Sequence, residues 1–142
     1  MEKLCNIALV TAKAKRASYA DIRVVYNTVE EVGMKNGRPD VSYHETNGFG
    51  VRVIVNGAWG FSSSSRVTPA QVRKTTREAV EIARHAAKFQ KKPIRLAKEP
   101  TYVDFWATPY IEDPFEVSVE EKLGLLDKID KILRKDKKVL NA

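Results

Sequence analysis

The chain has 142 residues, of which 25 are Lys or Arg and 18 are Asp or Glu, a formal net charge of +7. That length suits one domain rather than two large ones, and an apolar fraction of 43% supplies a packed core and excludes a disordered chain. A single cysteine, Cys5, excludes an internal disulfide and a four-cysteine zinc site, and no apolar run is long enough to span a membrane.

Residues 1–15 predict a helix. Leu4, Ile7, Ala8, Thr11 and Ala14 recur at helical spacing, and Arg16-Ala17-Ser18 closes the run. This N-terminus lacks the long apolar stretch of a signal peptide, so the expected compartment is the cytoplasm. Residues 20–35 predict a strand rich in β-branched residues, followed by Asn36-Gly37, a two-residue hairpin turn. The return strand is expected from Val41 to Glu45, with Pro39 marking an edge or a bulge. A separate strand follows Gly48, with Phe49, Val51, Val53 and Val55 on one face and Arg52 and Ile54 on the other. Asn56-Gly57 makes a second hairpin turn into Ala58-Trp59-Gly60-Phe61.

The four serines at 62–65 read as a polar loop. Thr68 then caps a helix with Pro69 in its first position, running to about Phe89. Its narrow stripe of Val72, Thr76, Ala79, Val80, Ala83 and Ala87 lets it lie close on a sheet, and Lys74 with Glu78 and Arg77 with Glu81 are spaced to pair. Tyr102 to Trp106 alternates as a further strand. Ser118 caps a last helix whose apolar stripe is Leu125, Leu126, Ile129, Ile132 and Leu133. The expected fold is α+β: an antiparallel meander with two Asn-Gly hairpins, packed on one face by helices. Residues 1–106 form its core, and 107–142 are a connector and final helix.

Residue chemistry offers few catalytic candidates. His44-Glu45 begins a zinc-protease motif, but positions 48 and 49 are Gly and Phe, so the second ligand is missing. His85 lies among Arg84 and Lys88 and reads as a surface residue. The serines lack a positioned base. Gly48-Phe49-Gly50 precedes a strand rather than opening a helix, which removes the context of a dinucleotide loop. Cys5 reads as a small packing residue. Arg66, Arg73, Lys74, Arg77 and Arg84 gather around one loop and helix. They leave open a stand-alone basic module for nucleic acid or an acidic protein, although Trp59, Phe61, Phe105 and Trp106 sit in strands and read as core.

Three segments together resemble one family. They are Ala17-Ser18-Tyr19-Ala20-Asp21-Ile22-Arg23, the run from Gly48 through Phe61, and Ala79-Val80-Glu81-Ile82-Ala83-Arg84. Their order and spacing are similar to the N-terminal domain of the TldD/PmbA proteins, the "modulator of DNA gyrase" family of metallopeptidases. The resemblance rests on Asp21, Gly48, Gly50, Arg52, Gly57, Trp59, Gly60 and Phe61, and covers nearly the whole chain. It implies a zinc site of His-Glu-x-x-x-His type with a later cysteine, in a C-terminal domain that lies outside these residues; no residue here matches those ligands.

For this chain the resemblance therefore implies no cofactor and no catalytic residue of its own. The implied role is scaffolding: contact with an identical or paralogous subunit, and one wall of a channel where unfolded peptide is cleaved. The edge at Val41, Tyr43 and Glu45 is the candidate for holding extended peptide through main-chain hydrogen bonds. The last residues, Asp136 to Leu140, read as a turn entering a strand with no partner, so the sequence is expected to be a piece of a longer protein.

Overall fold

The computed structural model describes residues 1–100 and 102–142. In chain order the elements are α1 (Glu2–Ala14), β1 (Tyr19–Lys35), β2 (Arg38–Val55), β3 (Ala58–Ser64), α2 (Pro69–Ala87) and α3 (Val119–Leu133). The strands form one sheet in the order β1-β2-β3. Strands and helices are segregated, which makes the fold α+β, as the sequence predicts. Two compact units divide the chain: Met1–Asn27 with Thr46–Pro100, and Thr28–Glu45 with Thr101–Ala142.

The first unit is built on the alternation in β2. Phe49, Val51, Val53 and Val55 are at most 3% exposed and meet Ala8 and Ala12 of α1 and Val72, Ala79, Val80 and Ala83 of α2. Burying these side chains is the main favourable term in holding helices to sheet. In α1 the buried position is Ala12 rather than the predicted Ala14, which is exposed. Past the helix end at Ala14 and its cap residue Lys15, Arg16 takes a left-handed φ of 63°. The Ala17 N–H bonds the Ala12 carbonyl at 3.1 Å and the Arg16 N–H bonds the Lys13 carbonyl at 2.9 Å, the pair of bonds that defines a Schellman cap.

Both Asn-Gly turns form as predicted, with φ of 52° and 76° at Asn36 and Gly37, and 52° and 78° at Asn56 and Gly57. Four positive φ values in two turns give the twist that joins adjacent antiparallel strands. The second turn sets the register of β2 on β3, from Val55 opposite Ala58 to Phe49 opposite Ser64. Thr68 accepts the Gln71 N–H at 3.3 Å and caps α2. The helix stops at Ala87, two residues short of the predicted end. Within it Glu81 pairs with Arg84 at 2.7 Å rather than with Arg77, while Lys74 and Glu78 approach to 3.9 Å.

Three expectations about strands fail. The return strand and the strand after Gly48 are one continuous β2. Gly48 marks a close approach, since a Cβ there would lie 3.2 Å from the Ser64 carbonyl oxygen. Ser62 to Ser64 are the end of β3, not a loop. Tyr102 to Trp106 form no strand, and Phe105 and Trp106 are 86% and 79% exposed instead of core. Their alternation has nothing to pair with, because Pro100 precedes the run and Pro109 follows it.

In the second unit the hairpin around Asn36-Gly37 is tied to the chain's last residues. The Asn36 N–H bonds the Ala142 carbonyl at 3.0 Å, and the Asn36 side chain bonds Asn141 and the Ala142 N–H, both at 3.0 Å. Lys122 of α3 pairs with Glu30 of β1, both largely shielded from solvent. Buried Asp130 lies 3.1 Å from Arg134 Nε. Ser118 caps α3 through the Glu121 N–H at 3.2 Å.

Candidate functional site

The sheet face of the first unit that points away from α1 and α2 gathers most of the residues that carried the family resemblance. Side chains alternate along a strand. Because Val51, Val53 and Val55 point to the core, Gly50, Arg52 and Ile54 point outward. The register then sets Phe61 opposite Arg52 and Trp59 opposite Ile54, so their side chains share that outer face.

Arg52 organises it. Its Nε and Nη2 both reach Asp21 Oδ2 of β1, at 2.9 and 2.8 Å, and its guanidinium carbon lies 5.1 Å from the centroid of the Trp59 ring. Trp59 in turn meets Tyr19 edge to face, with centroids 5.7 Å apart and planes at 89°. A planar guanidinium serves a carboxylate and an aromatic face at once, which an ammonium does not. The hydrogen bond that Arg52 donates to Asp21, and then the Asp21 charge, hold the guanidinium above its ordinary range.

Beside this assembly Phe61 is 56% exposed. Its ring lies over Gly50, where a Cβ would come within 2.8 Å of Cε2. Asp21, Arg23, Gly50, Arg52 and Phe61 line a shallow concavity of about 270 Å³. It presents cations, one paired carboxylate, an aromatic ring and bare backbone at a glycine. Those groups bind; they offer neither a nucleophile with a base nor a set of metal ligands.

The remaining motif glycines are structural. A Cβ at Gly60 would overlap the Ala79 carbonyl oxygen and lie 2.6 Å from the Ala83 nitrogen, so this glycine lets α2 rest on β3. Gly57 has positive φ and would press on Pro93.

Val41 and Tyr43 are 45% and 56% exposed and Glu45 is exposed, all on the stretch of β2 that precedes its pairing with β3. The Tyr43 hydroxyl donates to Glu45 Oε1 at 2.8 Å. That bond, reinforced by the charges of Glu45 and Glu30, pushes the Tyr43 phenol above its ordinary range.

His44 and His85 are exposed, and Cys5 is half-buried. Among the described residues no group of three His, Cys, Asp or Glu side chains is placed to hold a metal ion. Ser62 donates to Glu78 at 3.0 Å, and Ser64 accepts the Arg66 N–H at 3.1 Å, so neither faces a histidine base. Around the basic face of α2, Arg73, Lys74 and Arg77 line one surface with Glu78 and Glu81. Acids interleaved with cations make a poor track for a polyphosphate backbone.

Sequence reasoning missed the Arg52–Trp59 stack, because it assigned Trp59 to the core. The alternation of β2 and the two-residue turn together were sufficient to find it.

Residues 20–83 match the family model described as PmbA/TldA metallopeptidase domain 1. The chain is 25% identical over 124 residues to Metalloprotease MJ0996 of Methanocaldococcus jannaschii, covering 87% of this chain and 28% of that protein. It is 36% identical over 59 residues to a zinc metalloprotease TldD homolog of Saccharolobus solfataricus, covering 42% of this chain and 13% of that one. Its fold is similar to that of TldE from Thermococcus kodakarensis, with a TM-score of 0.63 at 19% identity over 96% of this chain and 30% of the other. The chain thus spans less than a third of the length of each of these proteins. No helix among the described residues is long and apolar enough to cross a membrane.

Proposed function

We propose, from the premise that this chain belongs to the PmbA/TldD family as its first domain, that it is a contact and scaffold domain of a zinc metallopeptidase. In this reading it forms one wall of a peptide channel, touches an identical or paralogous subunit, works in the cytoplasm, and leaves bond cleavage and zinc to another part of the enzyme. The observation that carries the reading is the Asp21–Arg52–Trp59 assembly on an outer sheet face. It combines binding groups, is flanked by the exposed Phe61, and lacks a nucleophile or a ligand set. Unfolded polypeptide suits such a surface. Arg52 and Arg23 meet carboxylates and carbonyls, and Phe61 meets apolar side chains. A second contact for extended peptide is the β2 stretch at Val41, Tyr43 and Glu45, where main-chain groups are free of β3.

The test is a peptidase assay on the purified chain with added zinc and an unfolded protein substrate, run beside a binding titration with the same substrate. The expected result is saturable binding that weakens in Arg52→Ala, with no turnover. Turnover abolished by a chelator would overturn the proposal.

A further inference from the structure

The concavity on the outer sheet face carries one positive charge that nothing in the chain answers. Its charged lining residues are Asp21, Arg23 and Arg52, two cations and one anion. Asp21 Oδ2 accepts from Arg52 Nε at 2.9 Å and meets Nη2 at 2.8 Å, so that pair is closed. Arg23 follows Asp21 by two residues on β1, which puts it on the same face. It is exposed and takes part in no ion pair among the described residues.

Beside that charge the sheet has no side chains of its own. Phe49 and Val51 point to the core, so Gly48 and Gly50 take successive outward positions of β2 and leave a floor of bare main chain. The neighbouring strands raise an apolar group on either side of it, Val25 on β1 and Phe61 on β3, both exposed. The volume of about 270 Å³ falls below the roughly 300–1,000 Å³ of pockets for whole small molecules. It suits one large side chain.

We infer that this concavity is a specificity pocket for a peptide carboxylate joined to an aromatic side chain. Arg23 takes the carboxylate, and the ring lies on the glycine floor against Phe61. The inference deepens the peptide-wall reading above and rests on it. Charge decides the first half. The unpaired cation repels an ammonium, and a neutral group would leave it unanswered. Shape decides the second half. A flat ring can pack on glycine main chain where a Cβ would hold it away, and Phe61 offers it an offset or edge contact. Arg52 is held by Asp21 and Trp59, so it shapes the far wall while Arg23 supplies the free donors. Two sources provide this chemistry: the carboxy terminus of a chain ending in an aromatic residue, and an Asp or Glu side chain next to an aromatic residue within a chain.

The test is calorimetric titration of the full 142-residue chain with N-acetylated peptides built on one neutral sequence. One ends in Phe with a free carboxylate, the second is its amide, and the third is an amide with Asp placed beside the Phe. At least one acid peptide is expected to bind about tenfold more tightly than the plain amide, the scale of one charge-assisted hydrogen bond. The tighter acid peptide names the source. Exchanging its Phe for Ala is expected to weaken it by about tenfold. Arg23→Gln brings the acid-to-amide ratio close to one and leaves the affinity for the amide unchanged, which a folding defect would not do. Gly50→Ala, whose added methyl meets the tip of the exposed Phe61 ring, keeps that ratio and loses the preference for Phe over Ala.

Equal binding of acid and amide, equal binding of Phe and Ala peptides, or a ratio that survives Arg23→Gln overturns the inference. If an unfolded protein still binds the same preparation and Arg52→Ala weakens it, the peptide-wall reading stands and only this pocket falls. If the unfolded protein does not bind either, both fall.

Discussion

Gly60 of β3 lies directly against Ala79 of α2, with no room for even a methyl group between the strand and the helix backbone. The helix answers with its smallest residues, Ala79 and Ala83, both fully buried. Small side chains on both elements let the backbones approach and leave the neighbouring Val72, Val80, Val51 and Val53 to interdigitate. Gly60→Ala would force α2 off the sheet. The expected loss is about 3 kcal/mol of unfolding free energy, at the upper end of overpacking in a rigid core, read from the urea midpoint at unchanged slope. A midpoint shift of under about 0.5 kcal/mol, the range of an ordinary surface substitution, would show that the helix is not seated there.

Arg16 makes the opposite kind of prediction. It occupies the left-handed position of the α1 cap at φ 63°, where a side chain costs about 1 kcal/mol that glycine does not. Its side chain forms no ion pair among the described residues. Arg16→Gly is therefore expected to raise stability by about 0.5–1 kcal/mol, visible as a higher thermal midpoint with unchanged helix content. A fall in the midpoint would mean that the arginine side chain contributes more than its backbone conformation costs.

These two sites also show what the sequence made legible. Local chemistry was sufficient where one signal decided the structure. The Asn-Gly turns, the Thr68 and Ser118 caps, and the alternation from Phe49 to Val55 all formed as read. The errors share a cause, which is that pattern specifies a conformation only where a partner exists. Tyr102 to Trp106 alternates like a strand and has none, so it stays irregular and exposed. Asn47-Gly48 looks like a break, yet the approach of β3 keeps β2 continuous through it. The α1 cap was invisible because its left-handed residue is an arginine. In the candidate site, the motif glycines, Trp59 and Phe61 stood out from the sequence, but what joins them did not. The reach of Arg52 to Asp21 and Trp59 crosses three strands.

Tyr43 offers a pH-dependent readout. Its phenol donates to Glu45, so losing the proton would leave a phenolate facing the carboxylates of Glu45 and Glu30. The native state therefore holds the proton to higher pH than the unfolded chain does. The contribution to stability is fully present below pH 10, the ordinary phenol value, and is lost as pH rises through the raised native value. The difference titration of phenolate absorbance between the native chain and Tyr43→Phe should show a midpoint above 10. In Glu45→Gln that midpoint should move down toward the ordinary value. A midpoint unchanged by Glu45→Gln would show that the hydrogen bond is not what holds the proton.

The Arg52 assembly yields the sharpest test, because its two contacts make different demands. Asp21 requires a cation with two donors directed to one oxygen, and Trp59 requires a flat cation over its ring. Lysine keeps the charge but supplies a compact ammonium that cannot satisfy both at once. In a Trp106→Phe background, tolerated because Trp106 is solvent-exposed, Trp59 is the only remaining tryptophan. Its emission then reports the stack alone. Arg52→Met and Arg52→Lys are expected to shift that emission alike, and both to weaken binding of an unfolded peptide by about tenfold, the scale of one desolvated cation–π contact. Asp21→Asn should leave the arginine in place over the ring but less firmly oriented, giving a smaller shift and a smaller loss. If Arg52→Lys behaves as the native chain does in both readouts, positive charge alone accounts for the site, and the shared geometry of Arg52, Asp21 and Trp59 has no part in recognition.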